Sequence, residues 1–301
     1  MAYGTPQSTA EIEPYLTDMR RGRKLAPHVL EEIKDRYKKI GGKSPLLEIT
    51  NNQALALEAS MKSTGLDAHV YVAMKHWHPY IREVVPKIAV DDFQRIIALV
   101  LAPHYSEISI GGYRKALQEV LQEFPKVDLD FVESWYDNSL FHEAVAEKVR
   151  EAHKKFPPHA KVLTVFTAHS LPERILRQND PYPDQLRSSC EAVAKLLALN
   201  DWAFAYQSSG QTDEKWLGPD ILELLGQLSS TASATRNVLV VPIGFVADHL
   251  EILYDIDIEA REFARTHRLT LSRTESLNAT PSFIAALADV VTKRFNKVSK
   301  S

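Results

Sequence analysis

Val240-Val241-Pro242-Ile243-Gly244-Phe245-Val246-Ala247-Asp248-His249-Leu250-Glu251 begins as a buried strand and ends at the start of a helix. Its unbroken apolar opening suits a strand covered on both faces, as in a parallel sheet. Beyond it, Glu251, Asp255 and Glu259 are spaced four apart, so on a helix they share one stripe, with Asp257 off it. Like charges at that spacing repel, and a purely structural helix tends to avoid them. A stripe of acids starting where a strand ends suggests a route for cations or protons. The plainer alternative is a solvated helix face, which is also the reading given to Asp257.

Working outward, the same kind of apolar run recurs at Ala68–Met74, Ile96–Leu101, Val127–Val132, Val162–Thr167 and Val238–Ile243. Helical patterns alternate with them at Pro27–Ile40, Asn51–Ser63, Tyr113–Phe124, Ser139–Lys155, Pro183–Leu199, Pro219–Gln227 and Pro281–Lys297. Alternation of this kind predicts an α/β fold with right-handed crossovers. The strand-rich pattern occurs twice, around a long helix near 139–155 and Pro157-Pro158. The expectation is two similar doubly wound, Rossmann-like domains with parallel sheets, 1–145 and 146–301, a cleft between them, and the last helix docking on the first domain. Ligands of such sheets sit beyond the carboxyl ends of the strands. Gly4-Thr5-Pro6 resembles the loop after a first strand, yet only Met1-Ala2-Tyr3 precedes it, and a strand usually takes about five residues. The first strand is therefore expected to be incomplete and the first sheet weakened.

Composition narrows the classes. The chain has 301 residues, 45% hydrophobic and 25% charged, with a formal net charge of −3, an ordinary globular composition with no overall pull toward nucleic acid. Cys190 is the single cysteine, which excludes an intrachain disulfide framework and any four-cysteine cluster, and points to a reducing cytoplasm. No apolar run approaches the roughly 18–20 residues of a membrane span.

Several constellations could carry chemistry. His169, in Phe166-Thr167-Ala168-His169-Ser170-Leu171-Pro172, sits at a strand end, where an imidazole can act as base or metal ligand near neutral pH. Alternatively it is a loop histidine bonded to backbone. Arg20, Arg21, Arg23 and Lys24 form a basic cluster able to grip carboxylates or phosphates, or simply a solvated patch. His76-x-His78 is a weak metal pattern, with His78 read as structural. Tyr3, Tyr105, Tyr113, Trp135, Tyr136 and Trp216 read singly as core or rim, and together would suit a flat apolar ligand.

Taken together, these segments resemble ferrochelatases, the enzymes that insert ferrous iron into a porphyrin. The most specific pieces are Thr167–Pro172 and Val241–Glu251. Leu101–Ser106, Glu133–Asp137, Asp180–Leu186 and Trp216–Asp220 support them. The resemblance implies that His169 and Glu251 face each other across the porphyrin centre as catalytic and metal-site residues, with Asp255 and Glu259 continuing an acidic path. It further implies that Tyr3, Arg20, Arg36, Tyr37, Ser44 and Tyr113 surround the porphyrin and its propionates. Ala2-Tyr3-Gly4-Thr5-Pro6 looks like the branch that uses coproporphyrin III. The protoporphyrin branch usually has Asn-Leu-Gly-Thr-Pro. Protoporphyrin IX, a non-catalytic porphyrin or haem carrier, and a cobalt or nickel chelatase are the alternatives. Also implied are Fe²⁺ as substrate, no tightly bound cofactor and no iron–sulfur cluster. A cytoplasmic monomer passing its product to a downstream haem-pathway enzyme, without nucleic acid, is the corresponding expectation.

Overall fold

The computed structural model describes residues 1–91, 93, 95–210, 212–230 and 236–298. The chain divides into two compact units. The first comprises Met1–Trp135, Ala247–Leu250 and the chain from Asn278 onward, and the second comprises Tyr136–Val246 and Glu251–Leu277. The chain thus enters the second unit at Tyr136, ahead of a helix that the sequence-based division at 145/146 would have cut.

In the first unit, α1 (Ile12–Met19), α2 (Pro27–Lys39), α3 (Leu46–Ser63), α4 (Ile81–Val90), α5 (Ile110–Leu121) and α10 (Pro281–Val298) accompany strands β1 (Arg95–Leu99) and β2 (Asp128–Val132). The two strands pair in parallel, from Arg95↔Asp128 to Leu99↔Val132. A core of Ala73, Val84, Val85, Ala98, Ile110 and Leu117 lies between them and the helices. Ala68–Met74, expected as a strand, is extended chain without a ladder. It carries two isolated parallel bridges, Ala2↔Met74 and Met74↔Tyr80. The Met1–Tyr3 stub is bonded along both edges. Lys75 N and His76 N donate to Ala2 O (3.0 Å) and Tyr3 O (2.8 Å), and Leu101 N donates to Met1 O (2.8 Å).

The second unit holds α6 (Ser139–His153), β3 (Val162–His169), α7 (Tyr182–Leu196), β4 (Trp202–Gln207), α8 (Ile221–Ser230), β5 (Asn237–Val241), a π-helix (Glu251–Ala260), α9 (Arg261–Thr266) and β6 (Thr270–Arg273). The Asn138 side chain caps α6 by accepting the Phe141 amide at 3.0 Å, which satisfies one of the orphan donors of a helix start. All ladders are parallel and the strand order is β4-β3-β5-β6. Val165, Val240, Leu225, Ile256, Ala260 and Ala264 are buried in one core on this sheet. The π-helix and α8 are thereby fixed against it.

This order places the site. From β3 the chain moves outward to β4, and from β5 it moves the opposite way to β6. The loops that leave the carboxyl ends of β3 and β5 therefore diverge, and such a switch point is where open parallel sheets bind ligands. The β3 loop carries His169, and the β5 loop leads to Glu251.

Candidate active site

Local packing forces these two loops together. Gly244 N donates to Thr167 O at 3.1 Å. A Cβ on Gly244 would lie 2.5 Å from the Ala168 Cβ, closer than carbon atoms can approach, so only glycine lets the β5 loop lie on the end of β3. The turn after His169 is pinned as well. Ser170 N donates to Gln207 O (2.7 Å) and Leu217 N to Leu171 O (2.9 Å). Ser170 Oγ donates to Leu217 O (2.7 Å) and the Tyr182 hydroxyl to His169 O (2.9 Å).

The His169 ring is held by its own backbone neighbour. Nδ1 donates to the Ser170 carbonyl. That fixes the tautomer and leaves Nε2 facing Glu251 Oε1 at 3.5 Å. Both side chains remain about a third exposed, at 33% and 35%. The rings of Trp216 and Phe245 flank the imidazole at centroid distances of 6.5 and 6.4 Å. Burial opposes charge on the imidazole, but the Glu251 carboxylate, the Ser170 carbonyl and Asp255 favour it more, and the pKa rises from 6.5 to about 9. At 3.5 Å and an effective dielectric of about 20, opposite charges attract by several kcal/mol before solvent screening, which is the scale needed to overcome burial. At neutral pH the pair thus stores one proton.

The acids beyond Glu251 do not form the uniform stripe expected of an α-helix. They ride on a π-helix, whose i→i+5 bonding widens each turn and recurs at functional sites. Asp255 is buried, and the Ser208 hydroxyl donates to its carboxylate. Glu259 is exposed. Of the three acids, Glu251 is half-buried beside His169, Asp255 buried and Glu259 exposed. Asp257 corrects the expectation of a solvated acid. Its carboxylate takes Arg273 Nη2 at 2.8 Å and Nε at 3.0 Å, and Arg261 Nη2 at 3.1 Å, tying the π-helix to β6. Among the described residues no group of three or more His, Cys, Asp or Glu is arranged to hold a metal ion. His169 and Glu251 are a two-donor pair.

The remaining candidates lie in the first unit. Tyr3 is 45% exposed, with its ring 4.5 Å from that of His76. Its hydroxyl reaches Met19 Sδ at 3.3 Å. Arg20 follows α1, and its buried Nε has no hydrogen-bond partner in the protein. Arg36 binds Glu32 at 2.9 Å. Tyr37, Ser44 and Tyr113 are buried, with the Tyr37 hydroxyl 3.2 Å from Thr5 Oγ1 and Ser44 Oγ accepting the Leu46 amide at 3.4 Å. Lys75 stands over the Tyr113 ring at 5.0 Å and donates to Ser109 O at 3.2 Å. Burial, then the Lys75 charge, lower the His76 pKa to about 4; Asp18 opposes them, and Arg21 adds a smaller lowering.

Several residues prove structural. His78 pairs with Glu83 at 2.9 Å while the His76 ring lies tilted against Tyr3, so the two are engaged separately. Trp135 is core and donates to Val100 O at 3.0 Å. Tyr105 is engaged by Glu107 and Arg114, and the Tyr136 carbonyl by His142 and Ser189. Arg23 and Lys24 are exposed. The sequence reading passed over Gln207 and Ser208 because it missed β4. The signal was present: Gln207-Ser208-Ser209-Gly210 is a polar cluster after an apolar run, as at the other strand ends.

Comparison with known proteins shows the family. A family described as Ferrochelatase matches residues 1–295. The chain is 44% identical to a protein named Ferrochelatase from Herpetosiphon aurantiacus, over 97% of this chain and 96% of that one. It is 39% identical to a Coproporphyrin III ferrochelatase from Halalkalibacterium halodurans, over 98% and 95%. Among solved structures, SirB from Bacillus subtilis with Fe3+ shares the fold at a TM-score of 0.57 and 13% identity, over 80% of this chain and 88% of that one.

Proposed function

The chain belongs to the ferrochelatase family, enzymes of haem biosynthesis that insert metal into porphyrin, and on that premise we propose that it inserts Fe²⁺ into coproporphyrin III at His169 and Glu251. The observation that carries the site is the His169 Nε2–Glu251 Oε1 contact at 3.5 Å, at the mouth of the strand switch point.

The chemistry follows from charge. A free-base porphyrin gives up two pyrrole protons as a dication enters, so the net charge of the macrocycle core and metal together is unchanged. In the resting pair, His169 holds a proton against Glu251. An approaching Fe²⁺ competes for that carboxylate and repels the imidazolium proton. Once the proton leaves, the Nε2 lone pair and Oε1 both face the ion. Two protein donors bind a divalent ion loosely enough to release it to four ring nitrogens. The regenerated imidazole can then take one pyrrole proton and the Glu251 carboxylate the other, each passing on to solvent. Asp255 and Glu259 continue from the pair toward solvent as a path for cations or protons.

Coproporphyrin III carries four propionates, protoporphyrin IX two. The cluster of Arg20, Arg21 and Lys75 in the first unit suits carboxylates, and exposed Tyr3 beside His76 presents the ring that marks the coproporphyrin-using branch. Arg36, Tyr37, Ser44 and Tyr113 complete the porphyrin-contact set in this reading. Fe²⁺ is substrate, and no resident cofactor is invoked. With one cysteine in the sequence, a four-cysteine cluster cannot form. No helix among the described residues is long and apolar enough to cross a membrane. The single cysteine, a buried free thiol, fits a reducing cytoplasm as the site of action.

Initial rates of anaerobic Fe²⁺ insertion into each porphyrin test the substrate. The expected result is a kcat/KM at least about tenfold higher for coproporphyrin III, the worth of one lost charged contact. Equal rates or a preference for protoporphyrin IX would overturn the assignment.

A further inference from the structure

We infer that Gln207 is a positioning residue for metal insertion, locking the strand end that carries His169 to the first residue of the π-helix and so setting the spacing of the His169–Glu251 pair. This rests on the reading of that pair as the insertion site. Gln207 is the last residue of β4 and pairs in register with His169 on β3. It is completely buried, and its bonds reach both halves of the pair. Its main-chain oxygen accepts the Ser170 amide at 2.7 Å, holding the turn whose carbonyl orients the imidazole. Its side-chain Oε1 accepts the buried Thr167 hydroxyl at 2.8 Å, two residues before His169. Its Nε2 donates to the Glu251 main-chain oxygen at 3.2 Å and to Ser208 Oγ at 3.4 Å. Ser208, at φ 60, donates in turn to Asp255.

The residue type follows from those bonds. One planar group must accept on one side and donate on the other, which a primary amide does and a carboxylate or thioether does not. Asparagine has the group but is one methylene shorter. The main-chain oxygen at the first residue of a helix that bonds i→i+5 is a natural point of control. Anchoring Glu251 there fixes where its carboxylate projects. A shift of about 1 Å between reacting groups can cost on the order of 100-fold in rate.

A buried amide could instead serve only to fill and satisfy the core, and the test separates the two roles. Gln207→Met keeps length and removes all three side-chain hydrogen bonds. Thr167→Val removes the hydroxyl, and Thr167→Ser keeps it. Fe²⁺ insertion by each is measured as kcat and porphyrin KM per folded protein, alongside thermal melts. The expected result for Gln207→Met is a kcat lower by about 10–100-fold with KM within about twofold. Thr167→Val should lose about 3–10-fold and Thr167→Ser should stay within about twofold of the parent. If Gln207→Met does not fold, the Thr167 pair decides: loss in Val with retention in Ser supports the assignment, and equal rates in both overturn it. A folded Gln207→Met with the parent kcat also overturns it. His169→Ala serves as the control on the underlying site: full activity there refutes the pair itself, whereas lost activity there with a fully active Gln207→Met refutes only the role of Gln207.

Discussion

Two histidines at chain turns, His76 in the first unit and His169 in the second, meet opposite electrostatic fates. Burial acts on both and favours the neutral imidazole. Around His76 the Lys75 charge adds to burial, Asp18 offsets only part of it, and the pKa falls to about 4. Around His169 a carboxylate stands 3.5 Å from Nε2 and a carbonyl takes Nδ1, and its pKa rises to about 9 despite burial. Burial alone is enough to keep His76 neutral, and only a facing carboxylate lets His169 store a proton against it. His76 is thus a neutral ring tilted against Tyr3, while His169 is half of a charged pair.

The sharpest way to break this contrast is to remove the partner. Glu251→Gln is expected to drop the His169 titration midpoint from about 9 to 6.5 or below, read by NMR of the imidazole ring. An unchanged midpoint would show that another group holds the proton. Next in size, Gly244→Ala forces its new Cβ against Ala168. Overpacking of that kind costs about 1–3 kcal/mol, measurable by urea denaturation, and the His169 midpoint should fall part of the way as the two loops separate. Lys75→Met tests the other side. The His76 midpoint should rise from about 4 yet stay below 6.5, because burial is the larger cause.

The smallest effect is on stability, and its sign differs between the two residues. The folded His169 binds its proton more tightly than the unfolded chain does. Its contribution is present in full below pH 6.5 and is lost as pH rises through about 9. His76 is held neutral, so the unfolded chain takes the proton first. Its contribution is lost as pH falls from 6.5 toward 4. Discounted for partial exposure, this is on the order of 1–2 kcal/mol. Replacing His76 by Phe should flatten the acid limb of a stability-versus-pH curve by that amount.

Much of the second unit was legible in the sequence because β3 and β5 are continuous apolar runs that a parallel sheet buries on both faces. β4 was missed because Trp202-Ala203-Phe204-Ala205-Tyr206-Gln207 alternates large and small residues, and β6 because four residues, Thr270–Arg273, give too short a pattern. Ala68–Met74 has the composition of a strand but lacks a full partner, and ladders depend on partners rather than propensity. The π-helix was read as an ordinary helix since its wider bonding leaves no local sequence mark. The meeting of His169 with Glu251 could not be read from spacing. It came from family resemblance, and its physical cause, the close approach of Gly244 to Ala168, is visible only in three dimensions. Asp257 shows the converse: its sequence position suggested a solvated acid, and Arg273, distant in sequence, made it an anchor.

The central claim is that the His169–Glu251 pair performs the insertion step. Anaerobic Fe²⁺ insertion into coproporphyrin III by His169→Ala, compared with the parent at equal folded fraction, addresses it most directly. The expected result is a fall in kcat of at least about 100-fold, the lower range for a lost general base, with the melting temperature largely kept because the imidazole is a third exposed. A folded His169→Ala protein that inserts iron within about twofold of the parent rate would contradict it.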